Sequence, residues 1–240
     1  MAGADRPDID RLYGRRRGPR LRAGRQALMD RLLPELQIDV PAESAPGAPG
    51  AIDPRALFAA PVEDVWLEIG FGGGEHLAAQ AAAHPDIGLI GCEPFVNGVA
   101  RLIARIDEAG LANIRLHPDD ARPLIAALPG ACIGRVFILF PDPWPKARHH
   151  KRRLVTAALL DALARVTADG AELRLATDHH GYARWMLARL IAHPAFAWTA
   201  RRPGDWRARP PDWPATRYET KAQARGQPGI FLRFQRRARA

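Results

Sequence analysis

The sequence contains 240 residues, of which 47% are hydrophobic and 25% are charged, and it carries a formal net charge of +9. Its two cysteines, Cys92 and Cys132, exclude a disulfide framework, and no apolar run approaches the roughly 20 residues that a membrane-spanning helix requires. We therefore expect a soluble protein of the cytoplasm, with one large domain and two reduced thiols.

The positive charge is concentrated at the two ends of the chain. Residues 1–31 hold nine arginines against four aspartates, and residues 200–240 hold eleven basic side chains against three acidic ones. The segment between them is acidic overall, although it contains a basic cluster at residues 146–153. Segregated positive charge indicates a polyanionic partner such as nucleic acid, bound through its phosphates.

The first 26 residues are rich in arginine and interrupted by glycine, which predicts a flexible basic arm that becomes ordered on a partner. A disordered solubilising tail is the alternative. Residues 41–54 are rich in proline, alanine and glycine and are typical of a linker. We therefore divide the chain into an arm and linker at residues 1–55 and a folded domain at residues 56–240.

From residue 64 onward, strand and helix patterns alternate. The predicted strands are short apolar runs at residues 65–69, 87–92, 114–116, 136–140 and 171–176. The predicted helices lie at residues 75–83, 97–109, 122–128, 153–166 and 182–192. Segments 195–200 and 230–235 are predicted to pair as a final antiparallel strand pair. This alternation is typical of an α/β protein with a mostly parallel, doubly wound sheet.

The first strand runs into a glycine-rich loop, in which Gly70, Gly72 and Gly74 follow Glu68. Such glycines allow the backbone to approach a ligand closely, and the next helix presents its N-terminus there. A dinucleotide-binding loop would have a glycine where this chain has Glu75. Because a carboxylate at that position would repel a pyrophosphate, the loop favours a ligand without phosphates.

Carboxylates also follow the second and third strands. Glu93 lies 23 positions after Gly70, which is about the spacing at which an acidic residue binds a ribose diol. Asp119 and Asp120 follow the third strand, where a carboxylate can accept from an exocyclic amine. A ribose, an amino group and no phosphate together describe S-adenosylmethionine. The alternative is that these are ordinary loop acids at the rim of a sheet.

The fourth strand runs into a proline-rich loop with a carboxylate, Pro141-Asp142-Pro143-Trp144-Pro145, and then into the basic cluster. The carboxyl end of a parallel strand is where open α/β sheets bind ligands. A residue before proline is disfavoured in the helical region, so we expect Asp142 and Trp144 to be extended. A solvated charge run is the alternative, but the Trp among prolines favours a functional loop.

Several stretches resemble known families. The glycine loop resembles motif I of the class I S-adenosylmethionine-dependent methyltransferases, and residues 141–153 resemble the signature of the tRNA (guanine-N7-)-methyltransferases. Three shorter matches agree with that family: Arg17-Gly18-Pro19-Arg20, Thr177-Asp178 and Thr216-Arg217-Tyr218-Glu219. The chain departs from the family at His150, where Asn is common, and at His179 and His180.

The resemblance implies a Rossmann-like class I methyltransferase fold that methylates N7 of guanosine 46 in the tRNA variable loop, with Asp142 as the catalytic residue. The implied cofactor-binding residues, for S-adenosylmethionine, are Glu68, Gly70, Gly72, Gly74, Glu93, Asp120 and Asp142. The implied substrate-binding residues are Lys146, Asp178, Thr216, Arg217, Tyr218 and Glu219. The implied RNA-binding residues are Arg148, His149, His150, Lys151, Arg152 and Arg153.

The chemistry of this reaction suits the residues at hand. Guanine N7 already carries an in-plane lone pair, so its methylation requires alignment of the two reactants and no general base. Because positive charge develops on the purine, a carboxylate such as Asp142 near the base would favour the transition state.

Other functions remain open at this point. They are a methyltransferase of the same fold acting on rRNA or protein, a non-catalytic RNA-binding protein, and a dinucleotide-dependent oxidoreductase, which Glu75 disfavours.

Some single residues also have two interpretations. Trp206 and Trp213 could stack on bases or pack against the sheet. Thr177-Asp178 could serve as a helix N-cap. The eight histidines show no metal-binding spacing, so we expect no metal. Monomer and homodimer are both compatible with the sequence.

Overall fold

The computed structural model describes residues 13–40, 52–214, 226 and 228–239. Its strands are β1 (Asp64–Ile69), β2 (Ile87–Cys92), β3 (Ile114–His117), β4 (Ile133–Leu139), β5 (Thr167–Thr177), β6 (Phe196–Trp198) and β7 (Ile230–Arg236). Its helices are α1 (Ala23–Leu36), α2 (Glu75–Ala83), α3 (Val96–Ala109), α4 (Ala121–Ala127), α5 (Ala157–Val166), α6 (His180–Ala192) and α7 (Gly204–Arg207). A short 3₁₀-helix spans Ala147–Arg152.

The strands form one seven-stranded sheet in the order β3-β2-β1-β4-β5-β7-β6. Strands β1 to β5 are parallel, whereas β7 runs antiparallel to both of its neighbours, β5 and β6. The predicted α/β class and the final antiparallel pair are therefore confirmed. The strand order reverses between β1 and β4, and this switch point is where a doubly wound sheet opens a crevice for ligands.

Helices cover both faces of the sheet, because the parallel strands are apolar on both sides. In β1, Val65 and Leu67 belong to one buried cluster and Trp66 belongs to the other. Helices α4, α5 and α6 pack into the first cluster, and α1, α2 and α3 pack into the second. The result is a three-layer arrangement. None of the helices in the described ranges is both long and apolar enough to cross a membrane.

The helix predicted at residues 153–166 begins later than expected. It starts at Ala157, where Thr156 accepts a hydrogen bond from the backbone N–H of Leu159. Thr is a favoured N-cap residue, so the local signal for this start is present in the sequence. The preceding residues instead form the 3₁₀-helix and an extended connection. Arg153, the last residue of the basic cluster, therefore lies in this connection and not in the first turn of α5.

The N-terminal arm differs from its prediction within the described residues. Residues 13–22 are docked on the domain, and helix α1, which was not predicted, follows them. The backbone N–H of Gly18 donates to Asn97 Oδ1 at 2.7 Å, and Asn97 Nδ2 donates to the carbonyl of Pro19 at 2.8 Å. Residues 1–12 and 41–51 lie outside the described residues, so the linker and the division after residue 55 stay predictions.

Candidate active site

A pocket of about 360 Å³ opens at the carboxyl ends of β1 to β4, at the switch point of the sheet. Its size suits a small-molecule ligand. Six of the predicted cofactor-binding residues line it: Glu68, Gly70, Gly72, Glu93, Asp120 and Asp142. These residues come from four separate segments of the chain. The parallel sheet brings them together because its strands end at one edge.

Gly74, the seventh predicted cofactor-binding residue, is not among the residues that line the pocket. It is the N-cap of α2 and has a φ of 74°, a left-handed conformation that favours glycine. A Cβ atom at this position would lie 2.6 Å from the Cβ atom of Leu102. Gly74 is required by the turn and by the packing of α3, and its predicted contact with the cofactor stays a prediction.

Glu93 is fixed by two backbone amides. Its Oε2 accepts from the N–H of Gly72 at 2.7 Å, and its Oε1 accepts from the N–H of Phe95 at 2.9 Å. The side chain is buried, and burial raises the pKa of this carboxyl, with repulsion from Asp142 and Glu68 adding to the effect. One carboxylate thus holds the glycine loop in place and lines the ligand site.

Glu68 forms a buried pair with a histidine that sequence reasoning did not identify. Glu68 Oε2 lies 2.7 Å from Nδ1 of His76 on α2, and each residue is 2% exposed. His76 also lines the pocket and packs edge-on against Phe137. The signal was its position as the second residue of the helix that follows the glycine loop, but a lone histidine on a helix does not by itself indicate a role.

The two carboxylates after β3 have different partners. Asp120 is the N-cap of α4 and accepts from the backbone N–H of Arg122 at 3.0 Å, and it also forms an ion pair with the guanidinium of Arg122. Asp119 forms an ion pair with Arg16 of the arm. Both carboxylates line the pocket. The arm and the turn after β3 therefore lie together on one wall of the pocket.

The loop after β4 carries Asp142 at the solvent-accessible rim of the pocket. Partial burial among its neighbours raises the pKa of its carboxyl above the ordinary value of 3.8. Phe140 and Trp144, on either side of Asp142, have φ values of 51° and 43°. The expectation of an extended Trp144 is therefore wrong, because contacts of the folded loop override the preference of a residue before proline.

The basic cluster after this loop is divided between solvent and interior. Arg148 and Lys151 are exposed, as is Lys146. Arg152 lines the pocket, and its guanidinium lies 5.0 Å from the ring centres of both Tyr13 and Trp144.

The two histidines of the cluster lie against aromatic rings. His149 packs edge-on against Trp144, and His150 packs edge-on against Trp185. Their predicted contacts with RNA stay predictions.

Arg153, which is predicted to bind RNA with the rest of the cluster, is buried in the structure. It is 4% exposed, its Nε donates to the carbonyl of Pro143 at 2.9 Å, and its guanidinium lies over the rings of Tyr182 and Trp185. A guanidinium enclosed in this way cannot reach a phosphate on the surface. Arg153 could not be distinguished from its four basic neighbours by sequence, because its burial depends on residues of α6.

Asp178 and Lys146 do not line the pocket. Thr177-Asp178 is also not the N-cap of α6, because His179 takes that role by accepting from the N–H of Tyr182. The predicted guanine pocket, Thr216 to Glu219, lies outside the described residues. The segment just before it is anchored by Trp213, which is 2% exposed and packs against Phe231.

The pocket residues fit S-adenosylmethionine, a cation without phosphates. Carboxylates from the ends of successive strands converge on the pocket, and Glu93 is held in a fixed orientation there. Glu75 at the N-terminus of α2 also lines the pocket and is paired with Arg105. A pyrophosphate at this helix terminus would face the Glu75 carboxylate, which is unfavourable. Within the described ranges, no group of three His, Cys, Asp or Glu residues is arranged to hold a metal ion.

Comparison with known proteins gives consistent results. A family model described as "Putative methyltransferase" matches residues 62–232. The tRNA (guanine-N(7)-)-methyltransferase of Rhodospirillum rubrum is 54% identical over 237 residues, which cover 98% of this chain and 92% of that protein. The tRNA (guanine-N(7)-)-methyltransferase of Paramagnetospirillum magneticum is 48% identical, with 99% of this chain and 96% of that protein covered.

Solved structures with the same fold are more distant in sequence. The 16S rRNA methyltransferase KamB matches with a TM-score of 0.53 at 15% identity, covering 74% of this chain and 89% of that chain. Precorrin-6y C5,15-methyltransferase of Geobacter metallireducens matches with a TM-score of 0.51 at 12% identity, covering 75% of this chain and 84% of that chain. At these identities the likeness concerns the fold alone, a class I methyltransferase fold.

Proposed function

The chain belongs to the tRNA (guanine-N(7)-)-methyltransferase family, and we propose that its target is guanosine 46 in the variable loop of tRNA. The enzyme transfers a methyl group from S-adenosylmethionine to N7 of guanine in tRNA. The observation that carries this function is the high identity to relatives of that name over nearly the whole chain. The choice of guanosine 46 rests on the resemblance of residues 141–153 to the family signature.

The residues proposed to hold the cofactor are those that line the pocket. Glu93, fixed by two amides, is suited to a ribose diol, and the acidic turn at Asp119 and Asp120 is suited to an amino group. Glu68, oriented by His76, adds a third carboxylate beside the glycine loop. When bound, S-adenosylmethionine supplies an electrophilic methyl group on a sulfonium.

Asp142 is proposed as the catalytic residue. It lies at the rim of the pocket, between the cofactor-binding wall and the basic cluster. There its carboxylate can orient the guanine edge and offset the positive charge that develops on the purine. The enzyme needs no general base, since N7 carries no proton.

The tRNA is proposed to lie across the exposed part of the basic cluster. Arg148, Lys151 and Arg152 would contact phosphates, with Lys146 and Asp178 closer to the base. Residues 216–219 are proposed to complete the guanine site. We place the enzyme in the cytoplasm, which agrees with its two unpaired cysteines and its tRNA substrate.

The test is methyl transfer from labelled S-adenosylmethionine to unmodified tRNA. A parallel transcript carries adenosine in place of guanosine 46. We expect label on the first transcript alone, and we expect borohydride and aniline treatment to cleave the chain at that nucleotide, since this chemistry acts at N7-methylguanosine. Label on both transcripts would keep the reaction and refute the site. Labelled tRNA that resists cleavage would refute N7 as the methylated atom.

A further inference from the structure

Arg153 differs from the other members of the basic cluster in its exposure. Lys146, Arg148 and Lys151 are exposed and Arg152 is half-buried, whereas Arg153 is 4% exposed. A buried arginine is unfavourable unless its charge and its donors have partners. The partners of Arg153 therefore indicate what it does.

Two aromatic residues of α6 enclose the guanidinium. Its Cζ atom lies 5.1 Å from the ring centre of Tyr182 and 4.8 Å from that of Trp185. Both rings are themselves fixed to Val155: the Tyr182 hydroxyl accepts from the Val155 N–H at 3.3 Å, and Trp185 Nε1 donates to the Val155 carbonyl at 2.8 Å. Helix α6 is thus a rigid support for Arg153.

The polar contact of Arg153 is with the loop that carries Asp142. Its Nε donates to the carbonyl of Pro143, the residue directly after Asp142, at 2.9 Å. The loop contains prolines at positions 141, 143 and 145, which have no N–H to donate. At these three positions the loop can therefore be held by hydrogen bonds to its carbonyl oxygens.

The backbone of this loop is strained on both sides of Asp142. Phe140 and Trp144 have φ values of 51° and 43°, in the left-handed region that side-chain-bearing residues rarely adopt. Such conformations persist only where surrounding contacts hold them. The hydrogen bond from Arg153 to Pro143 lies between these two strained positions in the chain.

We propose that Arg153 is a positioning residue, which connects α6 to the carbonyl of Pro143 and thereby fixes the Asp142 carboxylate at the rim of the pocket. It makes no contact with RNA phosphates. This inference rests on the proposed catalytic role of Asp142.

The test compares Arg153→Lys with Arg148→Gln. Lysine keeps the positive charge but loses the planar group and the Nε donor. We expect Arg153→Lys to lower kcat by about 10-fold to 100-fold, while the Kd for tRNA and its dependence on salt stay unchanged. We expect Arg148→Gln to weaken the Kd for tRNA and to make the slope of log K against log salt shallower by about one charge. A shallower slope with unchanged kcat for Arg153→Lys would overturn the proposal.

A double-mutant cycle with Asp142→Asn tests whether Arg153 acts through Asp142. Asp142→Asn alone is expected to lower kcat by about 100-fold to 1,000-fold. If Arg153 acts through Asp142, adding Arg153→Lys changes kcat little further, and multiplicative effects would overturn the proposal. Full turnover by Asp142→Asn would instead refute the role of Asp142, so the two failures are distinguishable.

A further variant covers the case in which Arg153→Lys does not fold. Trp185→Phe leaves Arg153 in place, keeps an aromatic face and removes the hydrogen bond to Val155. We expect a smaller loss of kcat in the same direction, with the Kd values for cofactor and tRNA unchanged. Unchanged kcat in a folded Trp185→Phe enzyme would overturn the proposal.

Discussion

Glu93 shows how a single side chain can stabilise the fold and also line the proposed cofactor site. Its two oxygens accept from Gly72 and Phe95, so that the carboxylate connects the glycine loop to the start of α3. Burial raises the pKa of this carboxyl above the ordinary value of 4.5. Because a cationic cofactor favours the ionised form, protonation of Glu93 should weaken cofactor binding.

We therefore predict that the affinity for S-adenosylmethionine falls as the pH is lowered, beginning above pH 4.5, since the raised pKa makes Glu93 take up its proton early. Glu93→Gln should weaken binding about tenfold at neutral pH and remove most of this pH dependence. Calorimetric titration between pH 5 and pH 8 measures both effects. A Glu93→Gln variant with the pH dependence of the unmodified enzyme would show that another group is responsible.

At the scale of single residues, part of the site could be predicted from the sequence. Glu93 and Asp142 follow apolar runs and Glu68 lies near the end of one, and a parallel sheet brings such positions to one edge, where all three line the pocket. His76 and Arg153 could not be assigned, since their roles depend on burial against residues that are distant in the chain. Proximity in sequence placed Arg153 with the RNA-binding residues, whereas α6 encloses it.

At the scale of elements, α4 depends on a distant arginine. This helix has seven residues and includes Pro123, so few of its carbonyls are bonded within the helix. Arg165 on α5 donates to the carbonyls of Leu128 at 2.7 Å and Ile125 at 2.5 Å. A cation at the C-terminal end of a helix is also favoured by the helix dipole.

We predict that Arg165→Met lowers the free energy of unfolding by about 1–3 kcal/mol, because buried carbonyls lose their donors. Methyl transfer measured well below the melting temperature should be unchanged, since Arg165 does not line the pocket. Arg184→Met at an exposed position of α6 is the control, with an expected change within about 0.5 kcal/mol. Equal urea denaturation midpoints for the two variants would contradict the prediction.

The elements themselves were largely predictable, because short apolar runs alternate with helical patterns and glycine or proline separates them. The position of β7 between β5 and β6 was not, since the order of strands in a sheet depends on long-range packing. Helix α1 was missed for another reason. Its charged start and internal Pro34 resemble a flexible arm, and its leucines are recognised as a buried face only once α3 is present.

At the scale of the whole molecule, the docked arm joins the two functional regions. Residues 13–15 line the proposed cofactor pocket, and Tyr13 packs against Trp144 beside Arg152. The exposed arginines of the arm, at positions 15, 16 and 17, therefore lie near the basic cluster that is proposed to bind tRNA. Charge that is separated in sequence is brought to one side of the molecule, which is suited to a polyanion.

The arm is held at Gly18, and this suggests a test of its contribution to the pocket. Gly18 lies against Asn97, and an added Cβ would be 2.7 Å from Asn97 Oδ1, the atom that accepts from the Gly18 N–H. Gly18→Ala should therefore displace the arm from Asn97 and open one wall of the pocket. We predict that the Kd for S-adenosylmethionine rises about threefold to tenfold, and that trypsin cleaves the arm faster.

The control for this prediction is Gly24→Ala, at the second residue of α1. A Cβ there meets no atom within 4 Å, and alanine favours the helix more than glycine does. We expect this variant to bind the cofactor as the unmodified enzyme does. Asn97→Ala, which removes both hydrogen bonds to the arm, should reproduce the effect of Gly18→Ala. If both variants kept full affinity for the cofactor although trypsin cleaved the arm faster, the proposed cofactor pocket would be complete without the arm, and its arginines would serve tRNA binding alone.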